Sequence, residues 1–358
     1  MREALIDRAA IGANFSLLKR RHDPLDVMAV ASGDAYGHGA VKFAKAAVAA
    51  GAGWLGTARI ADAVLLRNAG LAVPILCWQH RAAEDFQDAV RSNITPAVST
   101  AAAFATAVSA GIRSLHLILE TGSGIPGLDT GEWHSVVRDA AQLQRSGRLD
   151  PIGIMITAGT ETVAAGLSVA AGLSVVAAEK LEVNMVHDSV GSPLLGQAPY
   201  GNGVLTAVRS GAELFGLSES LGHSAIADGF MPAMTLRASI IGVKTAPGGT
   251  GVSYGYTYRT SGQATLALIP LGYGDGLDRS AGNCAPVWVG GRVYTIAGRV
   301  AMDACVVDLG EGTAAIGDDA VLFGDPALGY PGAEDWATAL GTTSAAIVSR
   351  LTARVRRS

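Results

Sequence analysis

Residues 27–39 read Val-Met-Ala-Val-Ala-Ser-Gly-Asp-Ala-Tyr-Gly-His-Gly and join two patterns within one short stretch. Val27–Ala31 is a continuous apolar run, which is typical of a strand that is buried on both faces. A polar, glycine-rich turn follows it, and Gly39–Ala50 then has the pattern of a helix. A buried strand, a turn and a helix in this order indicate one repeating unit of a parallel α/β fold.

Similar units recur through the first two-thirds of the chain, where short apolar runs alternate with Ala-rich helical patterns. Beyond the opening strand, these runs are Gly53–Gly56, Val73–Cys77, Thr95–Val98, Leu115–Leu119, Pro151–Met155 and Val183–Val186. Ile60–Asn68 and Ala82–Val90 are predicted helices between them. About eight such units in roughly 200 residues predict an N-terminal (β/α)8 barrel of the TIM type.

The pattern changes after Phe215–Leu217. From Met234 to Phe323 short alternating runs are separated by Gly-rich turns, and no long helix is indicated before Pro331–Leu340. This pattern predicts a mainly-β C-terminal domain. We therefore predict a barrel over residues 1–225 and a β domain over residues 226–358.

Composition narrows the class of protein. The chain has 358 residues, 49% hydrophobic and 16% charged, with a net charge of −4, which gives no indication of a nucleic-acid partner. The uncharged stretch Thr162–Ala178 is mostly Ala, Gly and Ser, so we expect no membrane span. Three cysteines lack metal-ligand spacing, and the N-terminus lacks a signal-peptide pattern. We expect a cytoplasmic protein without a metal site.

Six motifs resemble the alanine racemase family, in that family's order. They are Ala35–Gly39, Glu120–Gly124, Val208–Gly216, Val252–Gly255, Ile269–Gly276 and Gly298–Asp303. The resemblance implies a barrel followed by a β domain, and a head-to-tail homodimer with sites between the subunits. It also implies pyridoxal phosphate (PLP) as the cofactor and a small molecule as the substrate.

The resemblance breaks at the residue that matters most for the cofactor. In the family, a lysine after the first barrel strand forms a Schiff base with PLP, and Ser32 occupies that position here. A hydroxyl cannot form an imine with an aldehyde. The sequence therefore predicts no covalent PLP at residue 32, and PLP is implied by the family resemblance alone.

Other family positions are kept. Tyr36, Ser189, Gly211 and Ala212 match phosphate-side positions, and Arg209 matches the arginine that faces the pyridine nitrogen. Tyr254 matches the second catalytic base, which the resemblance places in the partner subunit's site. The remaining candidates are Asp303, Glu120 and Ser32 for catalysis, and Asp34, Tyr273 and Met302 for substrate binding.

Several further positions are changed. Ile125 replaces the arginine that contacts the PLP oxygen, and Ile118 replaces the lysine that supports this arginine. Thr157 replaces a histidine beside the cofactor, and Ala353 replaces a phosphate-site tyrosine. These losses favour a naturally diverged chain over one inactivated by a single substitution.

Three hypotheses for the function follow from this mixture. The first is a repurposed, PLP-independent acid/base enzyme of isomerase, lyase or cyclase type, in bacterial primary or specialised metabolism. The second is a non-catalytic pseudoenzyme that binds a small molecule or regulates a partner. The third is a PLP-binding amino-acid racemase with a displaced lysine, for which Lys42, Lys45 and Lys180 are the candidates. The sequence favours the first.

Overall fold

The computed structural model describes residues 2–81, 84–122, 124–156, 163–189 and 206–358. Contacts divide the chain into two units. One consists of residues 15–32 and 47–211, and the other of residues 1–14, 33–46 and 212–358. Each unit is thus assembled from separate stretches of sequence. The sequence boundary expected between residues 225 and 226 stays a prediction.

The first unit contains a closed barrel of eight parallel strands, and the predicted (β/α)8 architecture is confirmed. Its strands are β2 (Asp26–Val30), β3 (Trp54–Thr57), β4 (Ile75–Cys77), β5 (Thr95–Val98), β6 (His116–Leu119), β7 (Ile152–Ile156), β8 (Val183–Ser189) and β9 (Ala207–Ser210). The barrel closes where β9 pairs with β2, with Arg209 opposite Met28.

Helical segments separate the strands along the chain. They are α1 (Arg8–His22), the left-handed turn α2 (Ser32–Tyr36), α3 (Ala40–Ala49), α4 (Ile60–Asn68), α5 (Gln87–Arg91), α6 (Ala101–Ala110), α7 (Thr130–Arg145) and α8 (Val163–Ala178). Helix α7 shows why such segments form. Asp129 caps its first turn by accepting a hydrogen bond from the Glu132 amide at 2.8 Å. Its buried face includes Trp133, whose indole N–H donates to the Gly172 carbonyl of α8 at 2.9 Å.

The barrel interior is apolar over most of its length. One cluster of buried side chains consists of Met28, Leu76, Ala97, Ile118, Met155, Met185 and Ala207. Two histidines, His116 and His187, are buried in the same unit. Gly153 on β7 makes room for the first of them, because a Cβ atom at Gly153 would lie 2.3 Å from the His116 ring.

The second unit is mainly β, as predicted. Its largest sheet has six strands in the order β16-β15-β18-β10-β1-β19, a second sheet has the order β11-β14-β17, and β12 pairs with β13. The N-terminal strand Arg2–Ile6 lies inside the largest sheet, antiparallel to Met234–Ser239. The strands are β1 (Arg2–Ile6), β10 (Met234–Ser239), β11 (Gly242–Ala246), β12 (Gly251–Val252), β13 (Tyr258–Arg259), β14 (Ala264–Ile269), β15 (Pro286–Val289), β16 (Arg292–Thr295), β17 (Cys305–Asp308), β18 (Asp319–Phe323) and β19 (Arg356–Arg357).

Two short helices, α9 (Ala333–Leu340) and α10 (Ser344–Ser349), complete this unit. Trp336 of α9 is buried, and its indole N–H donates to the Leu322 carbonyl at 2.6 Å, which ties the helix to β18. Within the described residues, no helix combines the length and apolar character needed to cross a membrane.

The contact between Gly153 and His116 gives a test of the barrel's packing. Gly153→Ala should lower the free energy of unfolding by about 1–3 kcal/mol, because the added methyl group overlaps the His116 ring. Urea unfolding measures the change. Gly53→Ala is the matched control, since a Cβ atom there meets no atom within 4 Å. Equal stabilities for the two variants would show that the interior has free space beside His116.

Candidate active site

Arg209 is a buried cation at the carboxyl end of the barrel strands. It pairs in register with Ser189, the last residue of β8. Its Nη1 donates to His187 Nδ1 at 2.7 Å and to the His187 carbonyl at 3.1 Å. Its Nη2 donates to the Ile156 carbonyl at 2.8 Å and to Ser189 Oγ at 3.2 Å. Burial lowers the pKa of the Arg209 guanidinium to about 10, so the group remains a cation at neutral pH.

The hydrogen bond from Arg209 determines which ring nitrogen carries the proton in the buried pair His187 and His116. Because His187 Nδ1 accepts from Arg209, neutral His187 carries its proton on Nε2. This Nε2 lies 2.8 Å from His116 Nδ1 and donates to it. Burial, together with the charge of Arg209, lowers the pKa of both histidines, that of His116 to about 3. The positive charge therefore stays on Arg209, next to two neutral imidazoles.

Other predicted site residues of this unit also lie at the carboxyl ends of strands, the face where barrel enzymes place their active sites. Ser32 follows β2 by two residues, and its Oγ is buried without a hydrogen-bond partner in the described part of the chain. Glu120 follows β6 directly and accepts from the Gly122 amide at 2.7 Å. Gly211 follows β9 directly. The structure therefore brings Ser189 and Arg209 into hydrogen-bond contact. It places Ser32, Glu120 and Gly211 at the carboxyl ends of their strands, on the same face of the barrel.

The second unit contains a turn with an unusual backbone, residues 33–36, in which every φ is positive, from 51° to 61°. Left-handed geometry costs non-glycine residues roughly 1–2 kcal/mol each, so surrounding contacts have to hold it. Asp34, a predicted substrate-binding residue, accepts from the Ala40 amide at 2.7 Å through its carboxylate. His38 Nδ1 lies 3.0 Å from the Ala35 carbonyl. Both contacts stabilise the turn.

This turn presents Tyr36. The Tyr36 hydroxyl donates to Glu219 Oε1 at 2.6 Å, and its ring centroid lies 5.4 Å from that of Phe215. The same hydroxyl is hydrogen-bonded to the Ala212 backbone. The pKa of Tyr36 is raised far above its ordinary value. Burial is the largest cause, and the negative charge of Glu219 is the second. Tyr36 therefore stays protonated, and the structure brings the predicted residues Tyr36 and Ala212 together.

Tyr254, the predicted second catalytic base, is highly exposed in the isolated chain, at 71%. It begins a short 3-10 turn after Ser253, whose hydroxyl donates to the Arg299 carbonyl at 2.6 Å. Its hydroxyl is thus open to a ligand or to another surface. No contact with another described residue assigns its function, so its catalytic role stays a prediction.

Tyr273, Met302 and Asp303 lie on two loops joined by backbone hydrogen bonds, from the Tyr273 amide to Ala301 (3.0 Å) and from the Gly274 amide to Met302 (2.8 Å). Tyr273 and Met302 are exposed. Asp303 forms an ion pair with Arg354, which also contacts the buried Asp275 at 3.2 Å. The Asp303 carboxylate is therefore already engaged by a cation.

Neither lysine of the barrel unit lies at the carboxyl face of the strands. In the barrel unit, Lys19 pairs with Asp26 at the start of β2 (3.5 Å), and Lys180 precedes the start of β8. Both therefore lie toward the amino ends of the strands. In the other unit, Lys42 donates to the Arg357 carbonyl at 2.9 Å. Lys45 is exposed on α3, and Lys244 lies on β11.

Two of the substituted family positions hold isoleucines within the described residues. Ile118 belongs to the barrel core, and Ile125 is half exposed. Thr157 lies outside the described residues.

Sequence reasoning missed Glu219, His187 and His116. The sequence signal that could have identified the two histidines is the position of each within an otherwise apolar strand. Glu219 carries no local signal.

The fold places the chain in the class of two-domain proteins that combine a (β/α)8 barrel with a mainly-β domain. The family model described as "Alanine racemase, N-terminal domain" matches residues 6–219. The model described as "Alanine racemase, C-terminal domain" matches residues 233–358. Together the two models cover both predicted parts of the sequence. The chain belongs to the alanine racemase family, which confirms the resemblance.

Several relatives are similar over their full length. A Beutenbergia cavernae protein named alanine racemase is 40% identical, covering 99% of this chain and 96% of the relative. A Thermobifida fusca protein named alanine racemase is 39% identical, covering 99% of this chain and 97% of the relative. The solved alanine racemase of Streptomyces coelicolor superposes with a TM-score of 0.91 at 38% identity, covering 99% and 97% of the two chains.

These relatives overturn the favoured functional hypothesis. The substitutions at Ser32 and four other positions favour a repurposed, PLP-independent enzyme or a pseudoenzyme. Full-length relatives at about 40% identity carry the name alanine racemase, so both interpretations were wrong. The third hypothesis, a PLP-binding amino-acid racemase, agrees better with these findings.

The buried histidine pair predicts how stability depends on pH. His116 and His187 stay neutral when folded but bind protons below a pKa of 6.5 when unfolded. The unfolded chain then binds more protons, so the free energy of unfolding should fall as the pH drops below about 6.5. Each histidine should contribute up to about 1.4 kcal/mol per pH unit. Urea unfolding at a series of pH values measures the slope.

Two variants separate this effect from that of carboxylates. His116→Gln can still accept from His187 but does not titrate, so it should reduce the slope. His134→Gln, at an exposed position on α7, is the matched control for the loss of a histidine. An unchanged slope in His116→Gln would contradict a neutral buried His116.

Proposed function

We propose that this protein is an amino-acid racemase that works with PLP, and that its substrate is a small amino acid such as alanine. The observation that carries the proposal is the likeness to proteins named alanine racemase over 99% of the chain. Arg209 agrees with it, because the family resemblance assigns this arginine to the pyridine nitrogen and the structure buries it at the carboxyl ends of the barrel strands.

The residues fit PLP that is held without a covalent bond. The Tyr36 hydroxyl and the Ala212 backbone amide, both in the unit that contains residues 33–46 and 212–358, are the donor types that bind phosphate. The residues do not fit a covalent link at residue 32, since the Ser32 hydroxyl cannot form an imine. We therefore propose that PLP binds reversibly. When bound, PLP withdraws electrons from an amino acid joined to its aldehyde and so acidifies the hydrogen on the α-carbon.

Tyr254 is our candidate for moving that proton. Its hydroxyl is the acid/base group that this chain keeps from the pair implied by the family. The 71% exposure of its side chain suits a role at another subunit. We propose a head-to-tail homodimer in which Tyr254 serves the barrel of the second copy.

At residue 32, where the resemblance implies the amine base for the opposite face of the substrate, this chain has a serine. A serine alkoxide is inaccessible near neutral pH without a neighbouring base, so Ser32 by itself does not replace a lysine. We therefore expect racemization that is slow and that requires added PLP.

Tyr254→Phe tests the proton-transfer role. The variant keeps the ring but loses the hydroxyl, so conversion of L-alanine to D-alanine with added PLP should slow by about 10²–10⁴. Tyr256→Phe, with a similarly exposed ring two residues away, is the matched control and should keep its rate. Light scattering checks that both variants keep the mass of the parent. A wild-type rate in Tyr254→Phe would assign the proton transfer to another group.

Ser32→Lys tests the position of the missing amine. After incubation with PLP and reduction with borohydride, mass spectrometry should find a pyridoxyl group on residue 32 of this variant. The parent should carry none. Ser135→Lys, which adds an exposed lysine on α7, controls for unspecific modification. An adduct on any native lysine of the parent would instead support a displaced lysine.

A further inference from the structure

Glu219 is held in front of Tyr36 by a fixed backbone. The Ser218 amide donates to Ser344 Oγ at 2.8 Å, and the Ala345 amide donates to the Ser218 carbonyl at 3.3 Å. The Ser220 amide donates back to Ser218 Oγ at 3.1 Å. These bonds fix the residues on both sides of Glu219, so its carboxylate is presented from a defined position.

Tyr36 is fixed from the other side by its left-handed turn and by the Phe215 ring. Its hydroxyl donates to Glu219 Oε1 at 2.6 Å, the length of a strong bond to a charged acceptor. A phenol has one proton to donate. Tyr36 therefore cannot donate to Glu219 and to a bound phosphate at the same time.

We propose that Glu219 is a built-in competitor of the cofactor's phosphate, taking the Tyr36 hydrogen bond and placing a like charge beside the phosphate site. This inference rests on the function proposed above, in which Tyr36 binds the phosphate. Both effects of Glu219 weaken the binding of phosphate-bearing ligands: the lost donor and the repulsion between two anions. Together with Ser32, Glu219 makes the cofactor exchangeable.

Glu219→Gln tests the proposal because its amide oxygen can still accept from Tyr36 while the charge is removed. The affinity for PLP, measured by titration of intrinsic fluorescence, should rise by at least about tenfold. The affinity for pyridoxal, which has no phosphate, should not change. Glu311→Gln removes the same charge at an exposed position and should behave like the parent in both titrations. Thermal unfolding checks that each variant is folded.

Inorganic phosphate is the second probe and separates the two proposals. Equal PLP and phosphate affinities in the parent and Glu219→Gln would overturn the competitor role but leave the PLP proposal intact. Equal gains for PLP and pyridoxal would also overturn it, since the effect would not concern the phosphate. Tighter phosphate binding in Glu219→Gln, without PLP binding in any variant, would support the competitor role and contradict the proposed function. Binding of neither probe to any variant would contradict both.

Discussion

A buried guanidinium has to be matched by acceptors, and this requirement organises the barrel around Arg209. Two carbonyls, a serine hydroxyl and His187 Nδ1 accept its hydrogen bonds. Since His187 accepts there, its remaining ring proton points to His116. The His116 ring in turn needs the space that Gly153 leaves. A fixed cation at the carboxyl face thus depends on packing that extends through the barrel interior.

The barrel could be predicted from sequence because parallel strands buried on both faces give local, continuous apolar runs. The placement of β1 could not. Arg2 pairs with Ala238, and a partner more than two hundred positions away leaves no local pattern. The left-handed turn at residues 33–36 was also hidden, because only one of its four residues is a glycine. Its geometry depends on contacts such as the one between Asp34 and Ala40.

The candidate site likewise contains residues that the sequence could identify and residues that it could not. Motif matches identified Arg209, Tyr36 and Ala212, and the structure gives each of them a polar contact. Motifs could not identify Glu219, because its importance comes from meeting Tyr36 across the fold. The functional hypothesis failed for a related reason. It weighted a few changed side chains, each of which reports one contact, above the likeness of the whole chain to alanine racemases.

We propose that this chain activates the α-carbon of a small amino acid with PLP that it holds without a lysine. The direct measurement is the exchange of the α-hydrogen of L-alanine with deuterium in heavy water, followed by NMR with added PLP. We expect exchange that depends on both protein and PLP, with deuterated D-alanine among the products. Exchange no faster than with PLP alone would contradict it.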